Sequence, residues 1–346
     1  MKQSDDRPVL SVCVPTRNRG PWLAERLRAA LRLAPGALEI VVSDNASADG
    51  SAAVAAIDHP RLRLVRNREN VGAFENQLRA FEAASGRYVM QLMDKDELVP
   101  EGIAGGVEEL SRLDVACGEF ALNCADPGPT ELRRGFAAFR RYALRFTHPS
   151  GRFFSAAVLR EHGLLAKLRG LDPVIRPYST DYLVALSLAH GSYAEINRPL
   201  VRMNLPPYPG LSASTSYRDP ADYYFTPEFI VREFAAFVRL LRNEAPFGAL
   251  SRLRLVAHLA GGTVFDQMTS WYRWRLESGP MCAWYGVSPE FRAGELARDL
   301  THDAAALLGA VEGIGRAERS AVRLAVARRV RRGEWHPVPS RIGGEG

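Results

Sequence analysis

Four short apolar runs, separated by amphipathic segments of helix length, occupy the first hundred residues, and this alternation restricts the fold more than any other feature. Val9 to Val14 is almost continuously apolar, as a strand covered on both faces requires. Arg19 to Leu33 follows, with Trp22, Leu23, Leu27, Ala30 and Leu31 at helical spacing. Leu38 to Val42, Leu62 to Val65 and Tyr88 to Met93 repeat the strand pattern, and helices are expected over Ala48 to Ile57 and Phe74 to Ala84. Strands joined by helices of this length imply right-handed crossovers and a parallel sheet.

Beyond Pro100 the alternation loosens. The pattern predicts a strand over Val115 to Leu122, a basic helix over Leu132 to Leu144 and an apolar helix over Thr180 to Ala189. Short strands are expected at Tyr193 to Asn197 and Leu200 to Asn204, before a Pro-rich loop from Leu205 to Gly210. From Pro227 to Arg332 only helices are expected. The reading is an α/β domain over residues 1–218 and an all-helical region with a basic tail over 219–346.

Composition narrows the class. No stretch approaches the ~20 apolar residues of a membrane-spanning helix, and Met1 to Pro8 is too polar for a signal peptide. The expectation is a cytoplasmic protein, peripheral at most at the inner face of a membrane. Cys13, Cys117, Cys124 and Cys282 are scattered without CxxC spacing, which excludes a zinc ribbon. Positive charge is concentrated in residues 131–152, with six arginines against one glutamate, and in residues 316–332, with seven against one. Two basic segments in an otherwise acidic chain suit anionic partners. In the second, Ala321, Val322, Ala325, Val326 and Val330 form a thin apolar stripe, as expected of a helix lying on an anionic surface. Trp271, Tyr272, Trp274, Trp284 and Tyr285 read as core packing before acceptor groove.

Ligands of open parallel sheets bind at the carboxyl ends of the strands. Here those ends are polar four times over: Pro15-Thr16-Arg17-Asn18-Arg19, Ser43-Asp44-Asn45-Ala46-Ser47, Arg66-Asn67 with Asn70-Val71-Gly72, and Asp94-Lys95-Asp96-Glu97. Asp44 can accept from a nucleobase N–H, with Thr16 and Asn18 at the base or ribose edge; alternatively Asp44, Asn45 and Ser47 cap the next helix. On an extended strand end Asp94 and Asp96 project to one side. Their mutual repulsion is relieved by a divalent cation, with oxygen ligands completed by a diphosphate. There is no GxGxxG, no GxxxxGK[ST] and no GxSxG, which sets aside dinucleotide enzymes, P-loop enzymes and α/β-hydrolases.

The four strand-end blocks resemble, in order and spacing, the opening of family 2 glycosyltransferases. The resemblance covers residues 9–102 well and extends weakly to about 205. It implies a GT-A fold, with a donor half at residues 8–102 and an acceptor half at 103–218, a nucleotide-diphosphate sugar as donor, Mn2+ or Mg2+ as cofactor, and inversion at the anomeric carbon. The donor would be held by Pro15, Thr16, Asn18, Arg19, Asp44, Asn45, Asn70, Gly72, Asn76, Asp94 and Lys95, and the metal by Asp94 and Asp96. Asp181, in Ser179-Thr180-Asp181, stands where the family places its acceptor base, although a threonine replaces the usual glutamate before it. The QxxRW motif of processive synthases is absent, which suits single-sugar transfer. The acceptor is open between a lipid-linked sugar, a secondary metabolite, a peptide and a surface glycan. Self-association through the helical C-terminus and an anionic membrane contact are the other expected partnerships, and nucleic acid is not. A sugar nucleotidyltransferase and a non-enzymatic basic adaptor for anionic lipid or nucleic acid are the rival readings.

Overall fold

The structure is a computed structural model that describes residues 7–33, 36–48, 52–124, 126–204, 226–269 and 314–332. Strands β1 (Leu10–Thr16), β2 (Leu38–Asp44), β3 (Leu62–Arg66) and β4 (Tyr88–Gln91) alternate with α1 (Gly20–Leu33), α2 (Ala52–Ala55) and α3 (Ala73–Ala83). Helix α2 is a single turn, shorter than the sequence suggests. Ala46 adopts a left-handed φ of 54°, and the Ala48 N–H donates to Asn18 Oδ1 at 2.9 Å, so these residues stay in a loop. Gly72 supplies a φ of 83° immediately before α3, a conformation that would strain a side-chain-bearing residue.

The chain continues through β5 (Glu97–Leu98), α4 (Pro100–Ser111), β6 (Cys117–Leu122), β7 (Glu131–Arg133) and α5 (Gly135–Tyr142). Then come β8 (Arg152–Ser155), α6 (Ala156–Glu161), α7 (Leu164–Gly170), a 3-10 segment at Pro173–Tyr178, α8 (Ser179–Leu188) and β9 (Tyr193–Arg202). The helix expected from Leu132 begins only at Gly135, because residues 131–133 pair with β9 instead. Strand β8 and helices α6 and α7 have no clear signal in the pattern. The two strands expected around Pro199 are one strand with a register shift: Phe120 faces Ile196, and Leu122 faces Val201. Pro199 lies in that irregularity, where its missing N–H costs no ladder bond. Gly102 packs so closely on it that a Cβ there would collide with the Pro199 carbonyl oxygen.

The sheet order is β3-β2-β1-β4-β8-β6-β9-β5, with β7 also on β9. Its first half is parallel, as expected: β1 pairs with both β2 and β4, and β2 with β3. Beyond β4 the sheet is mixed, with β8 antiparallel to both β4 and β6. The core is the apolar layer of β1, β2 and β4 under Leu23, Leu27 and Leu31 of α1 and Ile103, Val107 and Leu110 of α4.

The chain divides into two compact units. Residues 1–138, 147–171 and 178–204 form the first, and residues 139–146, 172–177 and 205–346 the second. In the second, α9 (Pro227–Glu244) begins at a Thr226 hydroxyl that accepts the Phe229 N–H. Helix α10 (Ala249–Leu259) runs into a π-helical turn at Ala260–Val264, and α11 (Arg316–Arg331) packs on both. Here the sequence expectation needs correction. Val322 and Val326 are buried, so the apolar stripe of α11 faces the interior of its own unit rather than an external surface. Arg329 pairs with Asp266 at 2.6 Å, and Arg242 pairs with Glu318. Among the described residues no helix is long and apolar enough to cross a membrane. The expected boundary near 218, the loop Leu205–Gly210 and the aromatic group from Trp271 to Tyr285 lie outside the described residues.

Candidate functional site

Strand order reverses at β1: the chain steps outward through β2 and β3, then returns to β1's other side with β4. A crevice at the carboxyl ends of β1 and β4 follows from that topology. Residues from both ends meet there. The Thr16 hydroxyl donates to Asp94 Oδ2 at 2.9 Å, and Arg19 Nε lies 3.4 Å from the same oxygen. Burial pushes the Asp94 carboxyl above its usual pKa, against the pull of Arg19 and Thr16.

The Asp94-Lys95-Asp96 segment is a turn between β4 and β5, not an extended strand end, and the Asp96 N–H closes it on the Met93 carbonyl at 3.0 Å. The same-side argument for a strand therefore does not apply. Proximity is achieved by the turn instead, and the charge on Asp94 contributes to the raised pKa of Asp96. Asp96 is 2% exposed. Its Oδ2 accepts from the Ser150 hydroxyl at 2.5 Å and its Oδ1 from the Asn204 N–H at 2.9 Å. His148 Nε2 stands 3.3 Å from Oδ2. Burial, then Lys95 and Arg152, hold that imidazole down to about 3, so it is neutral. Its Nδ1 accepts the Ser150 N–H at 3.3 Å, which leaves the proton on Nε2, facing Asp96. No Lys or Arg forms an ion pair with Asp96 among the described residues, and burial lifts its carboxyl to about 6.

Asp44, expected at a nucleobase, has no exposed surface. Its Oδ1 accepts from the Ser47 N–H at 3.2 Å and from the Ser47 hydroxyl, and Arg66 Nε lies 3.3 Å from Oδ2. These contacts hold the loop before α2. Asn18, at a left-handed φ of 57°, stitches the first loop to the second: its own N–H donates to Ser47 Oγ at 2.9 Å. Asn45 and Asn76 are also braces. Asn45 Oδ1 takes the Val71 N–H at 2.9 Å, and its Nδ2 donates to Asn70 Oδ1 at 2.7 Å. Asn76, 2% exposed, accepts from the Ser43 hydroxyl and from Asn67 Nδ2, and returns a bond to the Ser43 carbonyl. Arg17, Asn18, Asn70 and Gly72 are exposed, and Pro15, Arg19 and Lys95 partly so; these form the accessible rim.

Asp181 lies in the first turn of α8 with no exposed surface. Arg152, 1% exposed, grips it with both terminal nitrogens, Nη1 to Oδ2 and Nη2 to Oδ1, each at 3.1 Å. Arg152 also donates to the hydroxyls of Thr180, at 3.1 Å, and Thr147. The charge pattern puts Arg152 in a basic surface segment; in the fold it is an interior residue. Ser150, Arg152 and Asn204 are not marked as site residues by spacing or composition, and only the turn-rich Thr147-His148-Pro149-Ser150-Gly151 stretch stands out as a loop.

Residues 11–164 match the model of glycosyl transferase family 2. That stretch, a little under half of the chain, is similar to the family 2 glycosyltransferases. An uncharacterised protein of Mycobacterium tuberculosis is 36% identical over 107 residues, which cover 31% of this chain and 32% of that protein. The succinoglycan biosynthesis protein ExoO of Rhizobium meliloti is 30% identical over 123 residues, 35% of this chain and 34% of its own length. The match thus spans about a third of these curated relatives. Among solved structures, residues 1–349 of TarS from S. aureus superpose with a TM-score of 0.54 at 13% identity, over 94% of this chain and 91% of that one. The same protein in complex with UDP-GlcNAc gives a TM-score of 0.53 at 13% identity, over 94% and 92%. The chain therefore has the GT-A fold expected from its sequence.

Proposed function

We propose that the chain is an inverting glycosyltransferase that moves one sugar from a nucleotide-diphosphate donor to an acceptor hydroxyl, with a divalent cation at the diphosphate. The observation that carries this reading is Asp96: a buried carboxylate, beside a second one at the switch-point crevice, whose hydrogen-bond donors are all neutral. Burying an uncompensated charge is costly, and a bound cation removes that cost. The residues fit a hard cation in kind, since Asp94 and Asp96 offer oxygen ligands. Among the described residues no group of three or more His, Cys, Asp or Glu is arranged as a ready-made cage. Diphosphate oxygens and water would complete the shell, as Mn2+ and Mg2+ commonly require. When bound, the cation would neutralise the charge that builds on the departing nucleotide diphosphate.

The protein's own groups divide the remaining work. Arg19 and Lys95, on the rim, add positive charge where the diphosphate would lie. The braced asparagines keep the loops after β1, β2 and β3 in one arrangement, so little ordering is left to binding. Asp181 is the base in this reading. Arg152 holds both of its carboxylate oxygens, and an acceptor hydroxyl has to replace Arg152 at one of them before Asp181 can take its proton. TarS has been solved with UDP and with UDP-GlcNAc, so uridine nucleotides are the first donors to test.

The test is calorimetry of UDP, GDP, CDP and dTDP with Mn2+ and with EDTA, followed by donor hydrolysis and transfer assays. One nucleotide should bind at least tenfold more tightly with Mn2+, about 1.4 kcal/mol. Equal affinity with and without metal for all four would remove the metal from the reading.

A further inference from the structure

Residues 147–152 touch both carboxylates that the proposed chemistry depends on. The Ser150 hydroxyl and His148 Nε2 reach Asp96 Oδ2. Two residues on, Arg152 grips Asp181. The segment is fixed to the end of β4: the Gly151 N–H donates to the Gln91 carbonyl at 2.9 Å, and the Met93 N–H to Ser150 Oγ at 2.9 Å. Gly151 carries a φ of 86°, and a Cβ there would meet the Phe120 carbonyl oxygen at 2.9 Å, so the bend between the two contacts needs glycine.

Ser150 has one proton to give. With the Met93 N–H on a lone pair, its hydroxyl hydrogen is directed at Asp96 Oδ2. The Asn204 N–H holds Oδ1, and Asn204 Nδ2 donates to the Lys95 carbonyl, so the turn is held from the other side as well. A carboxylate offers about four lone-pair sites. Ser150 and Asn204 occupy one on each oxygen, and His148 faces a second on Oδ2. Among the described residues, the site left open is on Oδ1.

We propose that Ser150 is a positioning residue for the metal: its hydroxyl sets the rotation of the Asp96 carboxylate so that Oδ1 faces the cation. The segment 147–152 then ties that setting to Asp181 through Arg152. The inference rests on the metal reading above. Groups that orient metal ligands typically change metal affinity by about 10–100-fold.

The experiment measures Mn2+ binding to the full chain in the presence of UDP, by electron paramagnetic resonance of free Mn2+. Ser150→Ala should weaken Mn2+ at least tenfold, while UDP affinity in EDTA stays within twofold of wild type. Ser150→Cys keeps the shape and donates poorly, so it should follow Ser150→Ala and guards against a packing artefact. If both variants take up Mn2+ within twofold of wild type, or if Ser150→Cys alone retains wild-type affinity, the hydroxyl does not position Asp96 and the inference fails while the metal reading stands. If wild type itself takes up no Mn2+, the metal reading falls and the inference with it.

Discussion

Replacing Asp181 by asparagine should cost stability as well as chemistry, and the structure sets the size. Arg152 is 1% exposed and Asp181 has no exposed surface, so neither charge has water to fall back on. The guanidinium makes two 3.1 Å contacts to the carboxylate. The asparagine side chain would keep one acceptor oxygen, place an amide donor against guanidinium donors, and leave the positive charge without a counter-ion. Breaking a buried pair from one side costs about 3–5 kcal/mol. Urea denaturation of the full chain, followed by far-UV circular dichroism, should therefore show the Asp181→Asn midpoint well below wild type. The double variant Arg152→Met with Asp181→Leu should recover most of that loss, because an apolar pair of similar volume carries no desolvation penalty. Arg152→Met alone separates structure from chemistry: it retains the carboxylate but loses its partner. If Asp181 is the base, Arg152→Met keeps measurable turnover after correction for the folded fraction, whereas Asp181→Asn loses about a hundredfold or more. An unfolding free energy for Asp181→Asn within about 1 kcal/mol of wild type would refute the reasoning, because the guanidinium would then be finding water that a buried pair denies it.

Asp44→Ala should destabilise the protein by about 1–3 kcal/mol, since it strips the Ser47 N–H of its buried acceptor; an unchanged melting temperature would return Asp44 to the nucleobase role. Gly102→Ala should cost roughly 3 kcal/mol through the clash with the Pro199 carbonyl, measured by thermal unfolding, and a neutral effect would mean that α4 slides freely over β9. The Glu75–Arg169 contact predicts a pH dependence. Hydrogen bonding to Arg169 holds Glu75 below its usual pKa of 4.5, so its stabilisation is present above about pH 4.5 and is lost as pH falls through the depressed folded value. The gap in melting temperature between wild type and Glu75→Gln should therefore close as pH falls below about 4.5; a constant gap would show that packing, not charge, is lost.

The alternation of apolar runs and amphipathic segments, with polar residues at four strand ends, was enough to determine the parallel half of the sheet and the side on which a ligand would bind. Both follow from short-range physics: side-chain periodicity, and the rule that the chain crosses back over a parallel sheet in one hand. What each polar residue touches was decided only in three dimensions. Asp44, Asn45 and Asn76 read as ligand contacts in sequence, and in the fold each also hydrogen-bonds within or between the loops around it, which no local pattern announces. Asp96 and Asp181 both stand two residues before a Leu-Val pair, and nothing local separates them. One takes its hydrogen bonds from neutral donors and the other from Arg152, a residue 29 positions earlier in the chain. That difference depends on which distant strand β8 lies beside, and long-range pairing of that kind leaves no mark on local composition. The same holds for α11: its apolar stripe shows a surface that must be covered, and only the packing of α10 against it decides by what.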